Sequence, residues 1–147
     1  MKIEYLAKAP AKAAVLVVFV ADDRKLHGPA IVLDRDSHGA LGRALLAPRF
    51  TAKRGQVLDV LAPAGLKVQR VILAGLGKPA ELSVLGAREI GAAIVAHLQA
   101  EHEPEATILI DLPKGAKLDT GSFAANLGLG AQLRNYRFTK YRRQLAA

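Results

Sequence analysis

"RVILAGLGKPAEL", residues 70–82, runs an apolar stretch directly into Gly-Leu-Gly-Lys-Pro. An apolar, β-branched run, then glycines, then a helical pattern predict a strand, a tight turn and a helix. The glycines admit two readings: they can cradle a phosphate, or they can turn the chain from a sheet edge into the helix. "GLGKPA" (75–80) formally meets the Gly-x-Gly-x-x-Gly/Ala pattern of dinucleotide sites. Pro79, however, separates the glycines from the helix start, so the helix amides are not aimed into the loop. No acidic residue closes a strand about 20 residues on, where a ribose hydroxyl would be held; the next strand pattern ends at Asp111. A P-loop fits less well, because no Ser or Thr follows Gly77-Lys78 and Ile72 stands where the first glycine belongs. The structural turn is the primary reading. A phosphate loop built from Gly75, Gly77 and Lys78 is the alternative.

Working outward, "GQVLDVLAP" (55–63) precedes this strand as another, with Ala-Gly-Leu-Lys (64–67) as the turn of a hairpin. Upstream, "AVLVVFV" (14–20) is continuously apolar, as in a strand covered on both faces. "KIEYLA" (2–7) alternates like a half-buried strand, and "HGALGRALLAP" (38–48) reads as a short helix ended by Pro48. Downstream, Leu82, Gly86, Ile90, Ile94 and Leu98 recur every four residues, with Leu85 and Ala93 beside them. This places a long helix from about Leu82, with Arg88 and Gln99 on its far side. "ATILIDLP" (106–113) is a further buried strand, and "TGSFAANLGLGAQLRNY" (120–136) is helical despite Gly121, Gly128 and Gly130. Glycine inside a helix costs about 1 kcal/mol against alanine, so these three are expected where backbones approach closely. Clustered strands that then alternate with helices give an α/β fold in three layers, a mixed β-sheet flanked by helices.

The chain has 147 residues, enough for one domain with a genuine core. Lys and Arg outnumber Asp and Glu by 21 to 13, a net charge of +8 that favours polyanions or an acidic partner surface. The absence of cysteine excludes disulfides and thiolate metal sites and suits a reducing cytoplasm. Lys2, Lys8 and Lys12 before "AAVLVVFVA" (13–21) superficially resemble a targeting signal. Phe19 stands where a cleavage site before Asp22 would need a small residue. The run is valine-rich and far too short to span a bilayer. A buried strand in an unprocessed, cytoplasmic protein with no membrane partner is the expectation.

Other candidate chemistry is sparse. "DRDSHG" (34–39) matches the opening of a calcium loop, but Leu45 stands at the twelfth position, where a bidentate glutamate belongs. A solvated turn capping the following helix is expected instead. His27, His38, His97 and His102 show no metal spacing. His97 falls on the apolar side of the long helix, where a hydrogen-bonded histidine is usual, and His102 lies near that helix's negative end. No serine or threonine sits in a nucleophile setting. "RNYRFTKYRR" (134–143) carries five cations and three aromatics without an acid. A connector with wet cations is the first reading. Nucleic-acid contact through Arg137, Lys140, Arg142 and Arg143 is the second.

Three segments, in order, resemble the N-terminal domain of the leucine (cytosol) aminopeptidase family. "RFTAKRGQVLDV" matches its Phe-x-Gly-Lys-x-Gly-Gln segment, with Ala52 in place of the glycine. "RVILAGLGKPAEL" with "AREIGAAI" matches its strand-Gly-Leu-Gly-Lys junction and its Arg-x-x-Gly helix, here Arg88 and Gly91. "GAQLRNYRFTKYR" matches its Tyr-Arg-Phe-Asp-x-Tyr-Lys segment, with Thr139 for aspartate and Arg142 for lysine. The resemblance implies a macro-domain-like fold over 1–135 and an interdomain connector from 136 to 147. It implies a catalytic domain beyond, holding two divalent metals (zinc or manganese) on a lysine and several carboxylates, including an Asn-Thr-Asp-Ala-Glu-Gly-Arg motif. That motif does not occur in these 147 residues, so no catalytic or metal-ligand residue carries over and no cofactor is expected in this chain. The resemblance implies a non-catalytic domain serving assembly or access to the site, with its own catalytic domain and a hexamer as partners. DNA binding, as in some bacterial members, is the alternative. ADP-ribose or another phosphate at the Gly75–Lys78 loop, as in macro domains, ranks below it.

Overall fold

A computed structural model describes residues 2–6 and 13–146, with side chains described for 13–136. Five strands form one sheet: β1 (Lys2–Leu6), β2 (Val15–Ala21), β3 (Val57–Leu61), β4 (Arg70–Gly77) and β5 (Glu105–Leu109), in the order β1-β5-β2-β4-β3. β1, β5, β2 and β4 are parallel, and β3 pairs antiparallel with β4, Asp59 opposite Ile72. The sheet is mixed, and residues 62–69 close the expected hairpin.

Strand side chains alternate between faces, so each strand feeds two cores. One face carries Val15, Val17, Phe19, Ile72, Ala74, Leu76 and Ile108 beneath α3 (Val84–Ala100) and α4 (Thr120–Ala146). The other carries Leu16, Val18, Val20, Val71, Leu73 and Leu109 beneath α1 (Pro29–Asp36) and α2 (Ala40–Ala44). β2 is buried at every position, as its unbroken apolar run requires. The three-layer α/β arrangement read from the residues is therefore the one the chain adopts.

α3 buries Gly86, Ile90, Ile94 and Leu98, the four-residue recurrence seen in the sequence, and begins at Val84 behind an N-cap, Ser83, whose Oγ accepts from Gly86 N at 3.0 Å. Two expectations on this helix need correction. Leu85 is 64% exposed. Arg88 and Gln99 face α4 rather than solvent: Arg88 Nε donates to Asn126 Oδ1 at 3.0 Å, and Gln99 Nε2 donates to Asn135 Oδ1 at 3.3 Å. A second helix covers the face that periodicity alone left to water. These two bonds also show that α3 and α4 run in the same direction. The helices cross closely enough that a Cβ on Gly130 would overlap the Arg88 carbonyl, and one on Gly91 the Leu127 carbonyl. Gly121 does not share this role; its nearest neighbour is the Asp119 side chain. Phe19 meets Phe123 edge to face, ring centres 5.2 Å apart, which ties α4 to the sheet.

α1 lies where no helix was expected, and it absorbs Asp34 and Asp36 into its last turn. Asp34 Oδ1 accepts from Gly42 N at 2.8 Å, so the first residue of "DRDSHG" does cap the helix that follows. α4 opens on Asp119. The backbone amide and hydroxyl of Ser122 hydrogen-bond its carboxylate and hold its pKa below the usual value. α4 continues unbroken through 136–146, the stretch read as a connector.

Candidate functional site

The Gly-Leu-Gly-Lys junction sits at the C-terminal end of β4, beside the end of its parallel neighbour β2. The helix after β2 packs on one face of the sheet and the helix after β4 on the other. Ligands of open α/β sheets bind in the crevice at such a reversal. An open cleft of 460 Å³ lies here, lined by Asp22, Thr51, Lys53, Arg54, Leu76, Gly77, Lys78 and Glu81.

The glycines themselves are taken up by backbone packing. Gly75 is buried within β4, and a Cβ there would overlap the Lys53 carbonyl and crowd Ala52. Its amide donates to Gln56 O at 2.8 Å, and its carbonyl accepts from Gly55 N at 3.2 Å. Gly77 has φ +72°, donates to Ala52 O at 2.9 Å and accepts from Asp22 N at 3.0 Å. The partner segment is shaped by one side chain: Gln56 Oε1 accepts from Thr51 N, Lys53 N and Thr51 Oγ1, and Gln56 Nε2 donates to Arg49 O. "RFTAKRGQ" and "AGLGK", read as two separate motifs, are one backbone-to-backbone unit. Ala52 has φ +57° and is fully buried in it, a conformation that suits the glycine it replaces.

The N-terminus of α3 does not open on the junction. A 3₁₀ turn, Pro79–Glu81, intervenes, and the first turn of α3 is served by Ser83. What the cleft offers a ligand is charge. Lys53, Arg54 and Lys78 line it with Asp22 and Glu81. Arg54 Nε is held by Glu89 at 2.9 Å, while Lys53 and Lys78 have no ion-pair partner among the described residues. Of the residues put forward from sequence, Gly77 and Lys78 line the cleft, whereas Gly75 is buried within β4. Arg137, Lys140, Arg142 and Arg143 fall on the α4 backbone, but their side chains lie outside the described residues.

A second cluster was not foreseen. Asp59 of β3, His97 of α3 and Glu101, the residue that caps α3, bring one ligand-type atom each to within 4.8 Å of one another. His97 Nε2 lies 2.8 Å from Asp59 Oδ2, which realises the hydrogen-bonded histidine expected on this helix. Divalent ions do not suit this trio, because Arg70 occupies it. Its guanidinium lies 3.3 Å from Asp59 Oδ1, 3.5 Å from Glu101 Oε2 and 3.7 Å from Glu103 Oε1, and its side chain is only 13% exposed. A metal would face a half-buried cation competing for the same oxygens. The cluster ties the end of α3 to the β3–β4 edge. Spacing along the chain could not reveal it, since its members come from three elements.

Residues 17–145 match the family described as "Cytosol aminopeptidase family, N-terminal domain". The chain belongs to that family. A probable cytosol aminopeptidase of Rhodopseudomonas palustris (strain BisA53) is 34% identical over 97% of this chain and 28% of its own length. The domain therefore spans little more than a quarter of the curated relative it matches. Among solved structures, a tomato leucine aminopeptidase mutant shares the fold with a TM-score of 0.66 at 21% identity, over 91% of this chain and 28% of that one. The macrodomain of Mycobacterium tuberculosis DarG shares it equally, TM-score 0.66 at 14% identity, over 89% of this chain and 90% of that one. The cytosol aminopeptidase N-terminal domain is thus built on a macrodomain-like frame. In this chain the Gly-Leu-Gly-Lys junction is the place where residues 49–56 interlock with the end of β4. No helix among the described residues is long and apolar enough to cross a membrane.

Proposed function

We propose that this chain is a non-catalytic accessory domain of a cytoplasmic two-metal aminopeptidase, serving assembly or access to the site. One observation carries the reading: nearly the whole chain aligns with 28% of a probable cytosol aminopeptidase, which leaves most of that protein to hold the reacting centre. The interior supports it. Gly75 and Gly77 pack against backbone, and among the described residues the one group of three ligand-type side chains, Asp59, His97 and Glu101, is occupied by Arg70. Removal of N-terminal residues such as leucine, the pair of zinc or manganese ions it needs, and a hexameric assembly belong on this reading to the longer protein. The pure chain should release no p-nitroaniline from leucine p-nitroanilide with added manganese or zinc. Metal-dependent turnover that follows the chain through purification would refute the proposal.

A second reading, binding of a polyanion such as DNA, is favoured by the two lysines that line the cleft with no ion-pair partner among the described residues and by the net charge of +8. The basic segment of α4 would add to it. Binding should then fall steeply with salt, and neutralising Arg137, Lys140, Arg142 and Arg143 together should flatten that dependence. Affinity that ignores both salt and these substitutions would rule the tail out. ADP-ribose at the Gly75–Lys78 loop ranks below this, because the amides of Gly75 and Gly77 are already engaged.

A further inference from the structure

α4 runs on past its last described contact with α3. Its contact with α3 reaches the Gln99–Asn135 hydrogen bond, and α3 stops at Ala100, yet α4 continues to Ala146. The overhang is about 11 residues, or roughly 16 Å. Along the same helix Leu129, Leu133 and Tyr136 recur at one, five and eight, and are 38%, 47% and 64% exposed. At 100° per residue they form one row, roughly 140° around the helix from the buried Phe123, Leu127, Gly130 and Ala131. Neither core uses this row.

Two occupants are physically reasonable, a second copy or a tethered domain. A stable interface between separate chains takes about 800 Å² from each partner, far more than three partly exposed side chains offer. A domain joined covalently needs much less, because the linkage supplies an effective concentration in the millimolar range. The relative from R. palustris has such a domain's worth of chain beyond the matched 28%. We infer that Leu129, Leu133 and Tyr136 form the ridge by which this domain seats against the body of the full-length aminopeptidase. The inference rests on the accessory-domain reading and adds to it the surface.

The test joins this chain in frame to the remainder of the R. palustris relative and follows two readouts, leucine p-nitroanilide hydrolysis and trypsin cleavage within residues 137–143. The fusion should hydrolyse the substrate and resist cleavage. Leu129→Ser, Leu133→Ser and Tyr136→Ser together should raise the cleavage rate tenfold or more while leaving the melting temperature of the isolated chain unchanged. Leu133→Arg alone, on the same exposed row, should raise it in the same direction. Equal cleavage rates in all three fusions, or a fusion recovered only as aggregate, would overturn the ridge. So would an isolated chain that sediments as a dimer and is split by the triple substitution, which would assign the row to a second copy. A folded fusion without hydrolysis would count against the accessory-domain reading alone, because the cleavage rates judge the ridge separately.

Discussion

Gly130 and Gly115 show how differently two glycines can be required. Gly130 lies where a side chain would push into the Arg88 carbonyl, a backbone atom that cannot rotate away. Gly115 has φ +89° but nothing within 4 Å of a would-be Cβ. Alanine at 130 must force α3 and α4 apart and should cost at least about 2 kcal/mol. Alanine at 115 meets only the left-handed backbone and should cost about 1 kcal/mol. Urea denaturation of the two variants decides it; equal losses would mean that the helix crossing yields more readily than its geometry implies. Ala52 belongs with these residues. It holds a positive φ inside a packed turn, and the strain, about 1–2 kcal/mol for a non-glycine residue, is tolerated because Gln56 and Gly77 fix the turn from both sides. The glycines of 70–82 were legible as a structural turn. What they pack against was not, because Ala52 and Lys53 lie in another part of the chain.

At the level of single elements, legibility followed burial. β2, β4 and β5 carry their signal in unbroken apolar runs, and α3 carries its own in a four-residue recurrence, so all four were readable. α1 was not. It buries Ala30 and Leu33 but leaves Ile31 and Val32 exposed at 53% and 44%, so its apolar residues form no stripe. Leu85 misled for the matching reason, being apolar, well spaced and exposed. The start of α3 is fixed more sharply than periodicity could show, by Ser83. Ser83→Ala removes the acceptor for Gly86 N and should lower stability by about 1 kcal/mol. Amide exchange should quicken in the first turn of α3 and leave its last turn unaffected, and an unchanged first turn would show that the cap contributes nothing.

Across the whole molecule, the layer count and mixed sheet followed from the order of strand and helix patterns, whereas the strand order β1-β5-β2-β4-β3 did not. Apart from the β3–β4 hairpin, neighbours in that order come from distant stretches of chain, and a strand buried on both faces records no preference for either neighbour. The same limit hid the Asp59–Arg70–His97–Glu101 network, whose members come from β3, β4 and the end of α3, with Glu101 capping the helix. The candidate cleft was half legible. Its glycine-bearing wall was marked by composition. Lys53 and Arg54, on the opposite wall, arrive only through the interlocked turn.

The close crossing of α3 and α4 has a mechanical consequence. Gly91 and Gly130 bring two backbones together at a point from which α4 still extends about 24 Å. Such a point acts as a fulcrum with a long arm, so a tilt of about 5° there would swing the tip by roughly 2 Å. Whatever is joined to that tip inherits its aim from two missing methyl groups.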